Sequence, residues 1–342
     1  MTMQEALGKL IRGQSLTREE SREIMLLIMK GEATPAQIGS LMTAMSMKGE
    51  TVEEIAGFAD AMRSSAQKVT ADRKGLLDTC GTGGDGGKTF NVSTAAAIVA
   101  SAGGARVAKH GNRAMSGKSG SADVLEALGV QIALDAEEAS KCLAEVGICF
   151  MFAQVFHPSM KHAAGPRREL GFRTFFNVLG PLTNPAGADR QLMGVYDRGR
   201  TEFLARAMRE LNVERAMVVA SHDGLDEISV CAPTQITELK DGEIVTYEVT
   251  PEQLGLRTAR IEDIAGGDAA DSARIIRAVL NGEPGPRRDI VLANAGACFY
   301  LAECCDSLAE GVKYAAQVID SGKAKEKLEE LVRKTGELKH VS

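Results

Sequence analysis

The sequence predicts an α/β protein with a small helical N-terminal domain and a larger α/β domain that contains a mainly parallel sheet. Over about the first 65 residues, apolar residues recur only at helical spacing, whereas short apolar runs, glycine-rich turns and helices alternate from Gly75 onward. The length of 342 residues suits about two domains. We therefore expect a helical domain over residues 1–70, completed by about 158–185, and an α/β domain over residues 71–342.

Three helices are expected before Gly75, because each has a recognisable start. Thr17–Glu20 and Thr51–Glu54 have the S/T-x-x-E form of a capping box, in which hydroxyl and carboxylate bond each other's free backbone N–H groups. Thr34 before Pro35 places a cap residue ahead of a proline at the first helical position. Apolar residues at helical spacing follow each start, so this unit is predicted to be entirely helical.

Beyond Gly75, short apolar runs are candidate strands and the amphipathic segments between them are candidate helices. The strand candidates include Arg106–Ala108, Val130–Leu134, Gly147–Phe152, Gln191–Tyr196 and Ala216–Ala220, and the helix candidates include Ser121–Leu128, Ala136–Glu145 and Arg200–Leu211. Gln235–Thr250 alternates like a hairpin around an Asp241-Gly242 turn, and Ala269–Leu338 is mostly helical. Strands that alternate with helices favour a parallel sheet.

Composition and charge exclude several classes of protein. Hydrophobic residues make up 44% of the chain and charged residues 25%, a globular balance unlike that of a disordered or membrane protein. The net charge of -6 argues against a nucleic-acid partner. The seven cysteines include no C-x-x-C pair, and the N-terminus has no leader pattern. We therefore expect reduced thiols, a cytoplasmic location and no membrane partner.

Glycine and positive charge are concentrated in the same segment. Twelve of the 36 glycines lie between Gly75 and Gly129. From Gly81 to Ser121, five Lys and Arg residues stand against Asp85 alone, a local charge of +4 in a chain of -6. Exposed backbone N–H groups and cations together can replace the water and counterions of a small polyphosphate.

Three motifs in or beside this segment have the chemistry of an anion site. Asp78–Asp85 (DTCGTGGD) follows a short apolar strand, Thr89–Thr94 (TFNVST) opens a helix over Ala95–Ser101, and Lys109–Gly117 reads KHGNRAMSG. Either of the first two alone could be an ordinary glycine turn or helix cap, and neither matches the P-loop or dinucleotide pattern. All three together favour a phosphate site.

The chain contains five motifs in order: GTGGD, FNVST, KHGNRAMSGKSGSADVLEALGV, HPSMKH with RRELGFRTFFNVLGPLTNPA, and SHDGLDEIS. Together they closely resemble the anthranilate phosphoribosyltransferase family. The resemblance runs essentially end to end and includes GEATPAQIGSLM near the N-terminus. It implies the fold shared with pyrimidine nucleoside phosphorylases, an active site between the two domains, and a homodimer built on the helical domain. It also implies phosphoribosyl transfer from phosphoribosyl pyrophosphate to anthranilate, the second step of tryptophan biosynthesis from chorismate.

The resemblance also implies which residues bind phosphoribosyl pyrophosphate. These are Gly81, Gly84, Asp85, Thr89, Asn91, Val92, Ser93, Thr94, Lys109, His110, Gly111, Asn112, Arg113, Ala114, Met115, Ser116, Gly117 and Ser121. The chemistry of these residues is consistent with this role, because amides and hydroxyls suit phosphate while Lys109 and Arg113 supply positive charge.

Magnesium is the cofactor that the resemblance implies, with two ions per active site, Ser93 contributing to one and Asp226 and Glu227 to the other. Hydroxyl and carboxylate oxygens suit this hard cation, whose shell phosphates and water complete. Adjacent residues of a strand point to opposite faces, so the acidic pair can serve one site only from a loop or turn. Asp223-Gly224 predicts such a turn. The alternative is an ordinary solvated acidic loop.

For anthranilate, the resemblance selects Gly81, Asn112 and Arg167. The Arg167 guanidinium can pair with the substrate carboxylate as a fork, and its alternative is a surface helix charge next to Arg168. The chain reads Gly-Pro-Arg up to Arg167 where the family more often reads Pro-Val-Arg. His110 and His157 are given no acid or base role.

Two rival functions are distinguishable. A nucleoside phosphorylase would share the fold but would have a different glycine loop and no FNVST. A non-catalytic nucleic-acid-binding relative would be more basic and would lack the Asn112 and Arg167 pair, whereas this chain is acidic and has both.

Positioning and electrostatics, not a covalent nucleophile, are expected to supply most of the rate. A contact with anthranilate synthase is left open.

Overall fold

A computed structural model of the chain describes residues 1–83, 88–114 and 119–340. Its helices and strands are, in chain order, α1 (Met3–Leu10), α2 (Arg18–Lys30), α3 (Pro35–Lys48), α4 (Val52–Ser65), β1 (Leu76–Gly81), α5 (Val92–Ala102), β2 (Arg106–Gly111), α6 (Ser121–Ala127), α7 (Ala136–Val146), β3 (Ile148–Phe152), α8 (Ala153–Phe156), α9 (Lys161–Leu170), α10 (Phe176–Leu182), β4 (Arg190–Gly194), α11 (Thr201–Glu210), β5 (Arg215–Ser221), β6 (Thr234–Lys240), β7 (Glu243–Val249), α12 (Ala269–Leu280), α13 (Pro286–Leu301), α14 (Leu308–Asp320) and α15 (Lys323–His340). Within these ranges, no helix combines the length and the apolar character needed to cross a membrane.

The four N-terminal helices all start with a reciprocal cap. In each, a threonine hydroxyl accepts the N–H of the residue three positions on, whose side chain accepts the threonine N–H: Thr2 with Glu5, Thr17 with Glu20, Thr34 with Gln37, and Thr51 with Glu54. The three predicted helices are confirmed as α2, α3 and α4. Helix α1 was not predicted from the sequence, although its Thr2–Glu5 box has the same form as the boxes that predicted α2 and α4.

Helices α9 and α10 pack on the N-terminal helices, far away in sequence. Phe175, at the start of α10, stacks on Phe58 of α4 with ring centroids 4.7 Å apart. Ala163 of α9 and Leu179 of α10 are buried in the same apolar core as Leu41 of α3. Residues in the 158–185 region therefore share a hydrophobic core with the N-terminal helices.

The described strands form one sheet in the order β3-β2-β1-β4-β5-β6-β7. Neighbouring strands from β3 to β5 run parallel, whereas β6 and β7 are antiparallel additions at one edge. The turn between β6 and β7 has φ angles of 53° at Asp241 and 81° at Gly242, the left-handed geometry that two-residue hairpins favour. The predicted mainly parallel sheet and its hairpin are confirmed.

The two faces of the sheet bury different cores, because successive side chains of a strand point to opposite faces. Leu192 of β4 and Met217 of β5 belong to the core that contains α5 and α13. Met193 and Val218, the next residue in each strand, belong to the core that contains α11 and the N-terminal helices. The helical unit therefore packs against one face of the sheet.

The predicted strand Val130–Leu134 is wrong. Val130, Ile132 and Leu134 are buried, and the residues between them are exposed, so the alternation in the sequence is real. The segment nevertheless pairs with no strand in the described ranges. Instead, the Gln131 N–H donates to the Thr335 hydroxyl of α15 at 3.1 Å. Packing on helices can satisfy alternating burial as well as a sheet can, and periodicity does not separate the two.

Candidate active site

A cavity of about 350 Å³ opens at the carboxyl ends of β1 and β2, and residues from α9 and α10 form part of its lining. The strand order reverses beside β1, because β4 pairs with β1 after β2 and β3 have extended the sheet the other way. Ligands of open α/β sheets bind at such reversals. The predicted residues that line the cavity are Gly81, Thr89, Asn91, Ser93, Lys109, His110, Gly111, Asn112, Arg113, Ala114, Ser121, Arg167, Asp226 and Glu227.

The acidic pair lies in a loop after β5, as the Asp223-Gly224 turn predicted. Asp226 reaches the turn that follows β1, where its Oδ2 accepts the Gly83 N–H at 3.0 Å. A Cβ on Gly81 would lie 2.5 Å from that same oxygen, and a Cβ on Gly194 would lie 1.6 Å from the Asp226 carbonyl oxygen. Glycine at both strand ends is therefore what lets Asp226 approach the cavity.

Glu227 caps the start of α5. Its Oε1 accepts the Ser93 N–H at 3.1 Å, so a protein carboxylate already uses one amide of the predicted anion site. The N-cap residue Asn91 makes no side-chain cap bond. Its amide group instead contacts Ser119, accepting the Ser119 hydroxyl at 3.0 Å. The start of α5 thus holds both the acidic loop and the segment that follows β2.

Lys109 lies on β2, which extends three residues beyond the predicted strand end at Ala108. Only 2% of Lys109 is exposed. Its ammonium group donates to the Thr79 carbonyl and, at 3.2 Å, to the Ser93 hydroxyl. Asp78 lies below it, where burial raises the carboxyl pKa to about 6 against the opposing charge of Lys109. The cation is therefore fixed in the cavity floor beside Ser93.

The two histidines near the cavity are neutral at physiological pH. Burial, with repulsion from His157, lowers the pKa of His110 to about 3, and burial lowers the pKa of His157 to about 4. His110 Nδ1 lies 3.2 Å from the Gly180 carbonyl, which only accepts, so this nitrogen carries the proton. Neither ring has the pKa expected of a general base that works near neutral pH.

Arg113 brings less charge to the cavity than the sequence predicted. Its guanidinium donates to Asp123 and Glu126 of α6 at 2.8 and 2.9 Å. Both acids lie just beyond the segment whose charge was summed as +4. Arg106, which is counted in that sum, begins β2. It therefore lies at the amino end of the strand, whereas the cavity lies at the carboxyl end. The excess of positive charge at the cavity therefore comes from fewer groups than the sequence indicated.

Arg167 is a second cation in the cavity lining, and it comes from α9 and not from the sheet. It lies in α9, half-buried, with its guanidinium carbon 5.3 Å from the Phe176 ring centroid. Burial lowers its pKa. Among the described residues it makes no ion pair, in contrast to Arg113. A half-buried, uncompensated guanidinium facing a cavity is suited to bind an anionic ligand.

Some predicted residues do not reach the described cavity. Val92 and Thr94 are buried within α5 and do not line it. Gly84, Asp85, Met115, Ser116 and Gly117 lie outside the described residues. Four further residues line the cavity although no role was predicted for them from the sequence: Phe176, Asn177, Gly180 and Pro181. All four belong to the GFRTFFNVLGPLTNPA stretch that supported the resemblance, and this was the only signal for them.

The donor set suits a hard divalent cation that is shared with a ligand. Asp226, Glu227 and Ser93 offer carboxylate and hydroxyl oxygens around one cavity. The described residues contain no group of three or more His, Cys, Asp or Glu side chains that could hold a metal ion. The two carboxylates and the hydroxyl fit Mg²⁺, whose shell phosphate oxygens and water would complete.

Two family models match the chain. The helical bundle domain of a glycosyl transferase family matches residues 4–66, and the a/b domain of that family matches residues 73–325. The first match covers α1 to α4, and the second begins just before β1.

Curated relatives and solved structures match nearly the full length. An anthranilate phosphoribosyltransferase of Acetivibrio thermocellus is 53% identical over 333 residues, 97% of this chain and 96% of the relative. One of Brevibacillus brevis is 54% identical over 337 residues, 98% of this chain and 99% of the relative. A crystal structure of the Thermus thermophilus enzyme gives a TM-score of 0.91 at 44% identity, covering 96% and 99% of the two chains. The Saccharomyces cerevisiae enzyme in complex with PRPP and Mg gives 0.90 at 28% identity, covering 98% of each chain.

Proposed function

This chain belongs to the anthranilate phosphoribosyltransferase family, and from this premise we propose how its own residues carry out the reaction. The reaction transfers the phosphoribosyl group of phosphoribosyl pyrophosphate to the amine of anthranilate. The products are N-(5-phosphoribosyl)anthranilate and pyrophosphate, in the second step of tryptophan biosynthesis from chorismate. The two substrates carry different anionic groups, so the site has to recognise each one separately.

The floor of the cavity and the start of α5 form the phosphoribosyl pyrophosphate side. Lys109 supplies a fixed ammonium group beside the Ser93 hydroxyl, and Asn91, Asn112 and Ser121 add polar groups around the same cavity. Lys109 is held by hydrogen bonds before substrate arrives, so little ordering is needed on binding. Gly84, Asp85 and the run Met115 to Gly117 complete this side in our proposal.

Asp226, Glu227 and Ser93 hold Mg²⁺ in our proposal, as two ions per active site with substrate phosphates and water. When bound, Mg²⁺ neutralises charge that builds up on the departing pyrophosphate. Two carboxylates beside a pyrophosphate would repel it without a cation between them, which supports this assignment. The Saccharomyces cerevisiae relative was solved in complex with PRPP and Mg, the same substrate and metal that we propose for this cavity.

The acceptor side is formed by Arg167 with Asn112 and Gly81. The observation that carries this assignment is the half-buried Arg167 guanidinium, which pairs with no acid in the described part of the chain and lines the same cavity as Lys109. The anthranilate carboxylate supplies the missing anion and can accept two parallel N–H bonds from the guanidinium. Phe176, stacked against Arg167, offers an apolar surface to the aromatic ring of anthranilate.

The chemistry needs orientation more than proton transfer. An aromatic amine is neutral near pH 7, so it can attack the anomeric carbon without prior deprotonation and lose its proton afterwards. The transition state is oxocarbenium-like, as in glycoside cleavage. The cavity therefore works by holding the amine and the anomeric carbon in line and by stabilising the leaving group, with inversion at that carbon.

Product analysis tests the function against its nearest rival. We expect the purified chain with phosphoribosyl pyrophosphate, anthranilate and Mg²⁺ to release pyrophosphate and to form a product with the mass of phosphoribosylanthranilate. We expect no phosphorolysis of thymidine with inorganic phosphate. Phosphorolysis without anthranilate consumption would instead identify a nucleoside phosphorylase.

We also propose a homodimer built on the helical unit. A groove of about 860 Å³ lies on α1, α3 and α9, larger than the active-site cavity, and is lined mainly by small and apolar residues. Ile11 and Met47 line it and are 77% and 84% exposed in the single chain. Exposed apolar grooves of this kind are typical of protein interfaces, and we expect a second copy of this chain to cover it.

The cytoplasmic location that the cysteines and the N-terminus indicate stays a prediction. A contact with anthranilate synthase also stays a prediction.

A further inference from the structure

Arg173 connects two walls of the active site without lining the cavity. It lies between α9, which carries Arg167, and α10. Its guanidinium donates to the Gly83 carbonyl at 3.1 Å and to the Thr82 carbonyl at 3.3 Å. It therefore reaches the turn after β1, just before residues 84 and 85 of the proposed phosphate-binding segment.

Arg173 and Asp226 hold the two ends of the same peptide group. In the trans peptide between Thr82 and Gly83, the carbonyl and the N–H point in opposite directions. The carbonyl accepts from Arg173, and the N–H donates to Asp226 Oδ2 at 3.0 Å. A cation on one end and an anion on the other polarise the peptide in the same sense, so each contact strengthens the other.

The Arg173 side chain is itself held in place. Its guanidinium carbon lies over the Tyr196 ring, 4.5 Å from the centroid, a cation–π contact that stabilises this position of the side chain. Phe175, two residues on, stacks on Phe58 of α4. Arg173 faces a second, smaller cavity of about 150 Å³ on the other side of Thr82, and not the active-site cavity.

We infer that Arg173 is a positioning residue of the reaction, which acts on the phosphoribosyl pyrophosphate side through the Thr82–Gly83 peptide and Asp226. This inference rests on the proposed function of the cavity. Arg173 touches neither substrate. It orients the peptide whose N–H holds the Asp226 carboxylate, and it joins this peptide to the segment that bears Arg167.

Arg173→Ala is the direct test, with Arg200→Ala as the matched control. Arg200 borders the same small cavity, lies 4.7 Å from the Phe203 ring centroid and pairs with Glu50 at 2.9 Å, but it does not contact the Thr82–Gly83 peptide. We expect Arg173→Ala to raise the KM for phosphoribosyl pyrophosphate at least about fivefold and to shift the Mg²⁺ dependence to higher concentrations, as loss of charge-assisted hydrogen bonds predicts. The KM for anthranilate should change by less than about twofold, and Arg200→Ala should leave both values within about twofold.

Rescue separates positioning from a general effect on folding. Guanidinium ions at low millimolar concentration should partly restore the phosphoribosyl pyrophosphate KM of Arg173→Ala, because they can occupy the vacated fork, and should not improve Arg200→Ala. If Arg173→Ala does not fold, Arg173→Lys replaces it as the test variant. Lysine keeps the charge but loses the planar fork, so the same KM should rise by a smaller factor.

The inference is overturned if the folded variant has an unchanged phosphoribosyl pyrophosphate KM. It is equally overturned if the KM values of both substrates rise together with no rescue. Failure of the proposed function has a different signature, because the unaltered chain would then form no phosphoribosylanthranilate.

Discussion

Among single residues, Lys109 has a structural role in addition to the binding role that we propose for it. Its ammonium group lies in the cavity floor, but its stem is buried in β2. If Lys109 only bound the ligand, Lys109→Ala would weaken phosphoribosyl pyrophosphate binding and leave the fold intact. The burial adds a second effect, because removing the stem leaves a hole in a strand of the central sheet.

Lys109→Met and Lys109→Ala separate these roles. We expect both variants to weaken phosphoribosyl pyrophosphate binding, measured by calorimetry with Mg²⁺ present, by about tenfold or more, because both lose a charged hydrogen-bond donor. Both variants lose the ammonium group that opposes the buried Asp78 charge. Methionine, however, fills most of the volume of the stem, so Lys109→Ala should lose about 2 kcal/mol more than Lys109→Met in the free energy of unfolding. Unchanged affinity in a folded Lys109→Met variant would remove Lys109 from the binding site.

His157 predicts a pH dependence of stability. Its pKa is lowered to about 4 in the folded chain by burial, from an ordinary value near 6.5. As the pH falls from 6.5 towards 4, the unfolded chain takes up this proton first, so the folded state loses stability by about 2 kcal/mol from this group at pH 4.5.

His157→Gln keeps a donor for the Thr183 carbonyl, 3.0 Å from the ring nitrogen, without the titration. We therefore expect urea unfolding at pH 7 and pH 4.5 to show a smaller acid loss of stability in the variant than in the wild type. Equal losses would mean that His157 titrates normally in the folded chain.

At the scale of elements, the ends of β1 and β4 determine where the acidic loop lies. The Cβ of Gly194→Ala would lie 1.6 Å from the Asp226 carbonyl oxygen, so the loop must move. We expect this variant to lower kcat by more than about tenfold, because displaced carboxylates no longer sit beside the substrate phosphates. Gly336→Ala is the control, since a Cβ there meets no atom within 4 Å in α15. Wild-type turnover in Gly194→Ala would show that the position of the Asp226 loop is unimportant.

Local sequence signals predicted most helices and strands. The elements that were predicted wrongly depend on contacts with parts of the chain far away in sequence. Capping boxes are local, which is why α2 to α4 were found, and α1 carries the same signal at Thr2. Val130–Leu134 alternates like a strand because it packs on helices from the other end of the chain, and a sequence window does not contain those helices. The extent of β2 was underestimated because Lys109 and His110 are polar, although both are buried.

The site was predicted as a set of residues but not as a balance of charges. The motifs placed Lys109, Ser93 and Arg167 together, and all three line one cavity. The neutralisation of Arg113 by two acids of α6 depends on how that helix packs, so the local charge count overestimated the charge. The role inferred for Arg173 depends on a contact across 90 residues, between Arg173 and Gly83, for which the sequence has no signal.

At the scale of the whole molecule, the packing supports a division that is discontinuous in sequence. We propose that residues 1–70 together with about 158–185 form the helical domain, because Phe175 and Leu179 share a core with the N-terminal helices. This places Arg167 on the helical side of the cavity and Lys109 on the α/β side. The two substrates would then be held by different domains.

The proposed dimer predicts a change of mass. A carboxylate in the middle of a buried apolar interface is costly, so Met47→Asp should shift the chain from dimer to monomer in light scattering. Val245→Asp is the matched control, because Val245 is also exposed but lies in β7, away from the groove. A wild-type monomer, or a Met47→Asp dimer of unchanged stability, would contradict the proposed interface.

We propose that Arg167 binds anthranilate, whereas Lys109, Asp226 and Glu227 serve phosphoribosyl pyrophosphate and Mg²⁺ in the same cavity. The most direct measurement is the KM of each substrate in two variants. The reaction is monitored through the loss of anthranilate fluorescence. We expect Arg167→Ala to raise only the anthranilate KM, by about tenfold or more for a lost charged contact. The double variant Asp226→Asn, Glu227→Gln should instead lower kcat, raise the phosphoribosyl pyrophosphate KM and need more Mg²⁺. Equal rises of both KM values in Arg167→Ala, or wild-type turnover and Mg²⁺ dependence in the double variant, would contradict the division of the site.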